Sequence, residues 1–379
     1  MCSNQLSSRL AARLGQLPHN VLADLAARLC SDSPALQITA EECIAAHNPL
    51  PHEMVERVLL SPDLVPHILG PLEAEDWAAA AVCSQWLAGW KATNEPRRRL
   101  KQVLLDLPEE LGTTLGLDLV GTSEGRLVVR EGSKVRILDS SMRVLQTLPD
   151  IYIGSLAADD DSIFHCRNDL SAFRRSSHDG TLAAEYQLEG CEFYCPVLAP
   201  GGLLFCVMFE SDGELDQDII ALDAQTLQLR HRFGLGLLGD AHQLVVAGDE
   251  LYACDTGNHR LQVFSLTGEH RRSVMGEWRE PKFLCFARDR LYLIEREYNG
   301  DGGGDDDDDG DPLQGRRLLV LSLQGDILQV ITNPTDPTAM FTSICCFDRK
   351  LLASYRYRDN TETNIDGWKF GMLALQEGL

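Results

Sequence analysis

The chain has 379 residues, 44% of them hydrophobic, and a formal net charge of −23. That length suits two domains and that composition a globular fold, while no stretch approaches the ~18 consecutive apolar residues of a membrane helix. The strongly negative field repels phosphate backbones at long range and argues against a general nucleic-acid binder. The first residues, MCSNQLSSRLAARLGQ, lack the apolar core and small-residue cleavage site of a secretory leader, so a cytoplasmic or nuclear location is expected. The 12 cysteines show no paired metal-ligand spacing, and most sit in apolar runs where a free thiol acts as a small hydrophobe. Residues 1–60 read as a helical extension. Val21, Leu22, Leu25 and Leu29 share one helical face after Pro18, and Thr39 with Glu42 forms a capping box. Pro51 opens a further short helix carrying Met54, Val55, Val58 and Leu59.

Residues 61–99 continue in helical period. Ser61 is a natural N-cap, Pro62 suits the first helical position, and Asp63 complements the helix dipole. Leu64, Ile68, Leu69 and Leu72 form an apolar stripe broken at Gly70-Pro71, and a second helix from Glu75-Asp76 carries Trp77, Val82, Cys83, Trp86 and Trp90. In order and spacing these residues resemble the F-box: a proline-led first helix, a leucine, an Asp-hydrophobic step, then Val-Cys-x-x-Trp. Ser61 stands where leucine is usual, and Pro66 falls inside the first helix. The resemblance implies docking on a Skp-type adaptor, and through it a cullin, with Pro62, Leu64, Ile68, Leu72, Val82 and Trp86 facing the adaptor. The same helices would also suit a small capping bundle in which Trp86 and Trp90 are core.

From residue 100 onward the pattern changes to short β runs. Six anchors, at 126–129, 162–165, 202–205, 250–253, 290–293 and 350–353, recur at spacings of 36, 40, 48, 40 and 60 residues. Propeller blades run to about 40–50 residues. An apolar run precedes each anchor and is expected to be the innermost strand. Two more runs follow each of the first five. The last blade lacks a strand, and the run at 103–107 is expected to supply its outermost one, closing the ring from both ends of the chain. Within 248–276, two strands at 251–254 and 261–266 flank a polar turn of Asp255, Thr256, Gly257, Asn258 and His259, and a third follows Thr267-Gly268-Glu269. Gly257 and Gly268 are expected to take positive φ. This segment resembles the NHL repeat, which carries an aspartate, an Asn-His-Arg run and a Phe where this chain has Asp255, Asn258, His259, Arg260 and Phe264. The turn residues Asp255, Gly257, Asn258 and Arg260 are read as structural. The fold class is therefore mainly β: a six-bladed, NHL-like β-propeller over residues 100–379, preceded by a small all-α domain.

An insertion at 299–314 holds Gly302-Gly303-Gly304 and Asp305 through Asp309. A calcium loop needs ligands spaced around a turn, so a bare aspartate run reads as a solvated loop. No metal, cofactor or catalytic residue is expected. Propeller enzymes bring side chains from several blades to the central channel, and His165, Asp255 and Glu295 end comparable strands; whether they converge is left open. The basic pairs Arg174-Arg175, Arg271-Arg272 and Arg316-Arg317 are short, with Phe173 and Trp278 the aromatics placed for base stacking. The F-box resemblance implies a non-catalytic recognition subunit of an SCF-type ubiquitin ligase, with an unknown protein substrate on the propeller; the alternatives are a plain propeller scaffold without a ligase link, then a six-bladed-propeller hydrolase or lyase or an RNA-binding NHL protein.

Overall fold

The computed structural model describes residues 98–105, 111, 117–131, 134–148, 155–166, 171–210, 217–296, 315–348, 350–358 and 368–377. The F-box-like residues Pro62, Leu64, Ile68, Leu72, Val82 and Trp86, with the rest of 1–97, lie outside them, as does the acidic insertion. The chain divides into two compact units, Met1–Lys101 with Glu377–Leu379 and Gln102–Gln376.

The β region forms six four-stranded antiparallel sheets. Strand β1 (Leu100–Leu105) comes first in the chain but belongs to the last sheet. Blade 1 comprises β2 (Leu117–Gly121), β3 (Leu127–Glu131), β4 (Lys134–Leu138) and β5 (Val144–Leu148). Blade 2 comprises β6 (Leu156–Ala158), β7 (Ser162–Cys166), β8 (Ala172–Ser177) and β9 (Leu182–Gln187). Blade 3 holds β10 (Cys191–Ala199), β11 (Leu203–Glu210), β12 (Gln217–Asp223) and β13 (Leu229–Leu238). Blade 4 holds β14 (Ala241–Ala247), β15 (Glu250–Asp255), β16 (Arg260–Ser265) and β17 (His270–Val274). Blade 5 holds β18 (Pro281–Ala287), β19 (Arg290–Glu295), β20 (Arg317–Leu321) and β21 (Ile327–Thr332). Blade 6 orders β22 (Met340–Phe347), β23 (Lys350–Arg358) and β24 (Trp368–Glu377), with β1 as its outer strand. The six anchors are the second strands, and the closing strand starts three residues earlier than the sequence run at 103–107.

The first strands of successive blades contact one another around the ring, from β2 through β6, β10, β14, β18 and β22 back to β2. Second strands are buried on both faces, as β15 and β19 show, whereas the outer strand β9 alternates exposed and half-buried residues. The core is accordingly distributed between blades. Phe164, Phe193 and Met208 pack between blades 2 and 3, and Phe205, Leu251 and Phe264 between blades 3 and 4.

Small polar side chains tie blade 2 to blade 3, blade 3 to blade 4 and blade 6 to blade 1. The Cys166 thiol donates to the Phe193 carbonyl at 2.7 Å, and Cys195 donates to the His242 carbonyl. The Ser343 hydroxyl accepts from the Leu119 amide at 3.1 Å, and Ser155 accepts from the Cys195 amide at 2.7 Å. These buried thiols are structural donors, and burial pushes Cys195 and Cys285 up to about 12.

Candidate functional site

The NHL-like turn is built around one buried carboxylate. Asp255 ends β15 in direct register with Arg260 at the start of β16, and its side chain is fully buried. Oδ1 accepts from the Gly239 amide at 2.6 Å and from Asn258 Nδ2 at 2.9 Å. Oδ2 accepts from Arg260 Nε at 2.7 Å and Gln262 Nε2 at 3.3 Å. Arg260 Nη2 and Gln262 Nε2 also donate to the Leu237 carbonyl, at 3.3 and 3.0 Å. The turn thus clamps the connection between blades 3 and 4. On its other side Thr256 Oγ1 donates to the Pro281 carbonyl at 2.6 Å, reaching blade 5. One expectation is corrected: Gly268 takes φ 91° and His259 takes φ 55°, but Gly257 is not in the left-handed region. Its role is close approach. A Cβ there would meet the Gly239 carbonyl oxygen at 2.9 Å, and the Gly257 amide donates to that oxygen at 2.8 Å.

Blade 5 repeats the clamp with different residues. Glu295 ends β19, fully buried, and accepts from Arg317 Nε at 2.7 Å and from the Arg279 amide at 2.9 Å. Arg279 precedes Glu295 by 16 residues, as Gly239 precedes Asp255. Arg317 Nη2 also reaches the Glu277 carbonyl at 3.4 Å, the position matching Leu237. Sequence reading paired Arg317 with Arg316 as a basic cluster and missed this clamp, because the insertion places Arg317 22 residues from Glu295. In blade 2, His165 stands one residue before the end of β7, buried, with Nδ1 against the Cys166 carbonyl at 3.1 Å and Nε2 against Ser176 Oγ at 3.0 Å. Burial holds His165 below the ordinary imidazole range. His165, Asp255 and Glu295 are therefore each engaged by their own blade and its connections.

Four consecutive inner strands carry a register shift at the same level: between Tyr194 and Val197, Ala241 and Leu244, Pro281 and Phe283, and Phe341 and Ser343. The residues at these steps include Cys195, whose thiol bonds the His242 carbonyl, His242, Lys282 and Thr342, whose Oγ1 lies 2.9 Å from Ser354 Oγ. The inner strand of blade 1 pairs without a shift over Leu117–Gly121. Lys282 on blade 5 acts electrostatically on both Asp118 of blade 1 and His242 of blade 4.

Burial raises Asp118 above the ordinary carboxylate range, opposed by Arg130, whose Nε donates to Oδ2 at 2.7 Å. Arg296 donates to both Asp240 and His242 Nε2. His242 Nε2 also lies 3.4 Å from Asp240 Oδ1. Burial lowers His242, against the opposing pull of Asp240. Burial would raise Asp240, but the Arg296 hydrogen bond holds it below its usual value. Lys282 is half-buried, its ammonium 5.3 Å from the Phe283 ring centroid, and it makes no hydrogen bond or ion pair among the described residues. Among those residues no group of three or more His, Cys, Asp and Glu side chains is placed to hold a metal.

The basic pairs do not form an open cationic patch. Arg174 meets Glu185 at 2.5 Å, Arg175 donates to Ser162 and the Gln225 carbonyl, and Arg271 and Arg272 both meet Glu250. Phe173 and Trp278 are buried and present no face for stacking on a base.

The sheets, their ring and its closure define a six-bladed β-propeller. Residues 238–264 match the NHL repeat, the segment running from the blade 3–4 connection through the Asp255 clamp to Phe264. Among solved structures the chain is similar to regucalcin, a calcium-binding protein from Agrobacterium tumefaciens, at 14% identity over 74% of this chain and 96% of that one, with a TM-score of 0.51. A luciferin-regenerating enzyme is similar at 14% identity over 74% and 96%, TM-score 0.49. A streptogramin B lyase is similar at 16% identity over 73% and 97%, TM-score 0.48. At such identities the likeness speaks to the fold alone. No curated protein sequence matches the chain significantly.

Proposed function

We propose that this chain is a non-catalytic recognition subunit of an SCF-type ubiquitin ligase. Residues 61–90 dock on a Skp-type adaptor and thereby a cullin, and the propeller holds a target protein, in the cytoplasm or nucleus. The observation carrying the reading is the ordered set Pro62, Leu64, Ile68, Leu72, Val82, Cys83 and Trp86 directly ahead of a propeller. The propeller suits the second task. Its buried acids Asp255 and Glu295 are saturated by arginine and backbone donors, so they hold blades together and leave variable connections to recognise a partner.

The test is co-purification of the tagged full chain from cells, beside a Leu64→Ala/Ile68→Ala/Leu72→Ala variant and a deletion of 61–90. The expected result is adaptor and cullin with the intact chain and neither with the two variants. An intact chain that brings down no adaptor under mild conditions overturns the ligase reading and leaves a propeller interaction scaffold.

A further inference from the structure

We propose that one end of blade 3 binds an ammonium or guanidinium group through the Glu192 carboxylate and the stacked rings of Tyr194 and Phe209. This deepens the reading of the propeller as the target-holding part and rests on that part alone, independent of any adaptor. The sheet brings the three side chains together. Phe209 on β11 lies directly across from Glu192 on β10, and Tyr194 stands two residues along β10, so all three share one face. The Tyr194 hydroxyl donates to Glu192 Oε2. The Tyr194 and Phe209 rings stack with centroids 5.4 Å apart and planes 14° from parallel. Tyr194 rests on the core between blades 3 and 4, so the pair is a fixed platform with a carboxylate at its edge, and all three residues stay half-buried. The backbone beside it is strained. Cys195, the next residue, takes φ 52°, in the left-handed region that residues with a side chain rarely adopt. It is held there from two sides, its amide donating to Ser155 Oγ at 2.7 Å and its thiol to the His242 carbonyl of blade 4. The break in register after Tyr194 starts at this residue. Bulges re-aim neighbouring side chains, and strain of this kind gathers at ligand sites.

The charges assign the ligand. Glu210, next to Phe209, is paired with Arg232 at 2.9 Å, and Asp218 is paired with the same arginine. Glu192 meets no cation among the described residues; the hydroxyl of Tyr194 donates to it and leaves its charge uncancelled. Burial and that carboxylate push the Tyr194 hydroxyl above its ordinary range, which keeps it a donor. A cation seated on Glu192 gains a charge-assisted bond, with Phe209 across the strand pair to add cation–π attraction. An apolar side chain there would desolvate the carboxylate without pairing it. The segment joining β11 to β12 adds Asp212, Glu214 and Asp216 in sequence, and the net charge of −23 attracts a ligand of the same sign. Such a cation can come from a lysine or arginine of a bound protein or from a small free amine.

The full-length protein is prepared with 13Cε-labelled tyrosine, and the Tyr194 resonance is identified by its loss in Tyr194→Phe. It is followed during titration with acetyl-Gly-Lys-Gly-amide, acetyl-Gly-Arg-Gly-amide, butylammonium chloride or acetyl-Gly-norleucine-Gly-amide at constant ionic strength. The expected result is a saturable Tyr194 shift with the cationic probes, weakened about tenfold or more in Glu192→Gln and about threefold in Phe209→Leu. Circular dichroism checks that both variants keep the wild-type spectrum. Tighter binding of a peptide identifies a protein side chain as the source, and tighter binding of butylammonium a free amine; either supports the site. No saturable shift with any cationic probe overturns the proposal, as does an equal shift in either variant or one reproduced by sodium chloride or the norleucine peptide. Adaptor co-purification is unaffected by Glu192→Gln, so failure of this site and failure of the ligase reading are separate results.

Discussion

Asp255→Ala removes the carboxylate that receives four hydrogen bonds and joins two blades. Two of those donors belong to Arg260 and Gln262, which also hold the Leu237 carbonyl, so the loss loosens the blade 3–4 connection as well as the turn. Removing one partner of a buried ion pair costs about 3–5 kcal/mol. Arg260 is 30% exposed and can turn part of its guanidinium to water, which places the expectation at the lower end, about 3 kcal/mol. In a domain of this size that lowers Tm by about 6–12 °C. Asp255→Asn keeps the Oδ1 acceptor for Gly239 and Asn258 but turns an amide towards the Arg260 and Gln262 donors, for a loss of about 2 kcal/mol. The double variant Asp255→Ala/Arg260→Ala loses less than the sum of its parts, because both single changes break one shared interaction. Urea unfolding followed by circular dichroism measures these three and the single variant Arg260→Ala. A loss below about 1 kcal/mol for Asp255→Ala, the scale of an ordinary substitution, refutes the clamp.

The blade 5 clamp predicts a matching effect where no repeat signature is visible. Glu295→Ala and Arg317→Ala each destabilise by about 3 kcal/mol, since Arg317 is mostly buried and Glu295 fully so; urea unfolding that leaves both like wild type would show that the two clamps are not equivalent. Stability also falls with acid through His165. Its folded value lies below the ordinary imidazole range because burial disfavours the charged ring, so the unfolded chain takes up protons first as pH drops. The stabilisation is complete above the ordinary value of about 6.5 and is lost below it, at up to about 1.4 kcal/mol per pH unit. Tm measured from pH 7.5 to 5 should drop more steeply in wild type than in His165→Gln, and parallel slopes would count against the assignment. His242 adds a smaller contribution of the same sign, its side chain being a third exposed.

The architecture was legible because each blade repeats one local signal, a buried second strand of consecutive apolar residues bounded by turns. Second strands lie between neighbouring blades, which makes runs such as Arg290–Glu295 stand out from the alternating outer strands. The Asp255 clamp was legible for a similar reason: its donors Asn258 and Arg260 fall within five residues. Glu295 uses the same geometry with a longer acid and an arginine beyond a long insertion, so no short window contains it. Gly257 was misread in mechanism because a glycine in a turn suggests positive φ equally well as close backbone approach, and only the Gly239 carbonyl at 2.9 Å decides between them.

The bulges of the inner strands were not legible in the sequence. A bulge adds one residue to a strand without changing its composition, so Lys282 in PKFLCFA reads as an ordinary position on an apolar strand. The clamps and the bulges lie at the same end of the sheets, since the end of each second strand pairs with the start of the first. Asp255, Glu295 and Glu131 fix the outer walls there through Arg260, Arg317 and Arg136. These acids hold each second strand to the third at the end where the inner strands bulge, so substitutions of Asp255 or Glu295 should change whether the propeller stands.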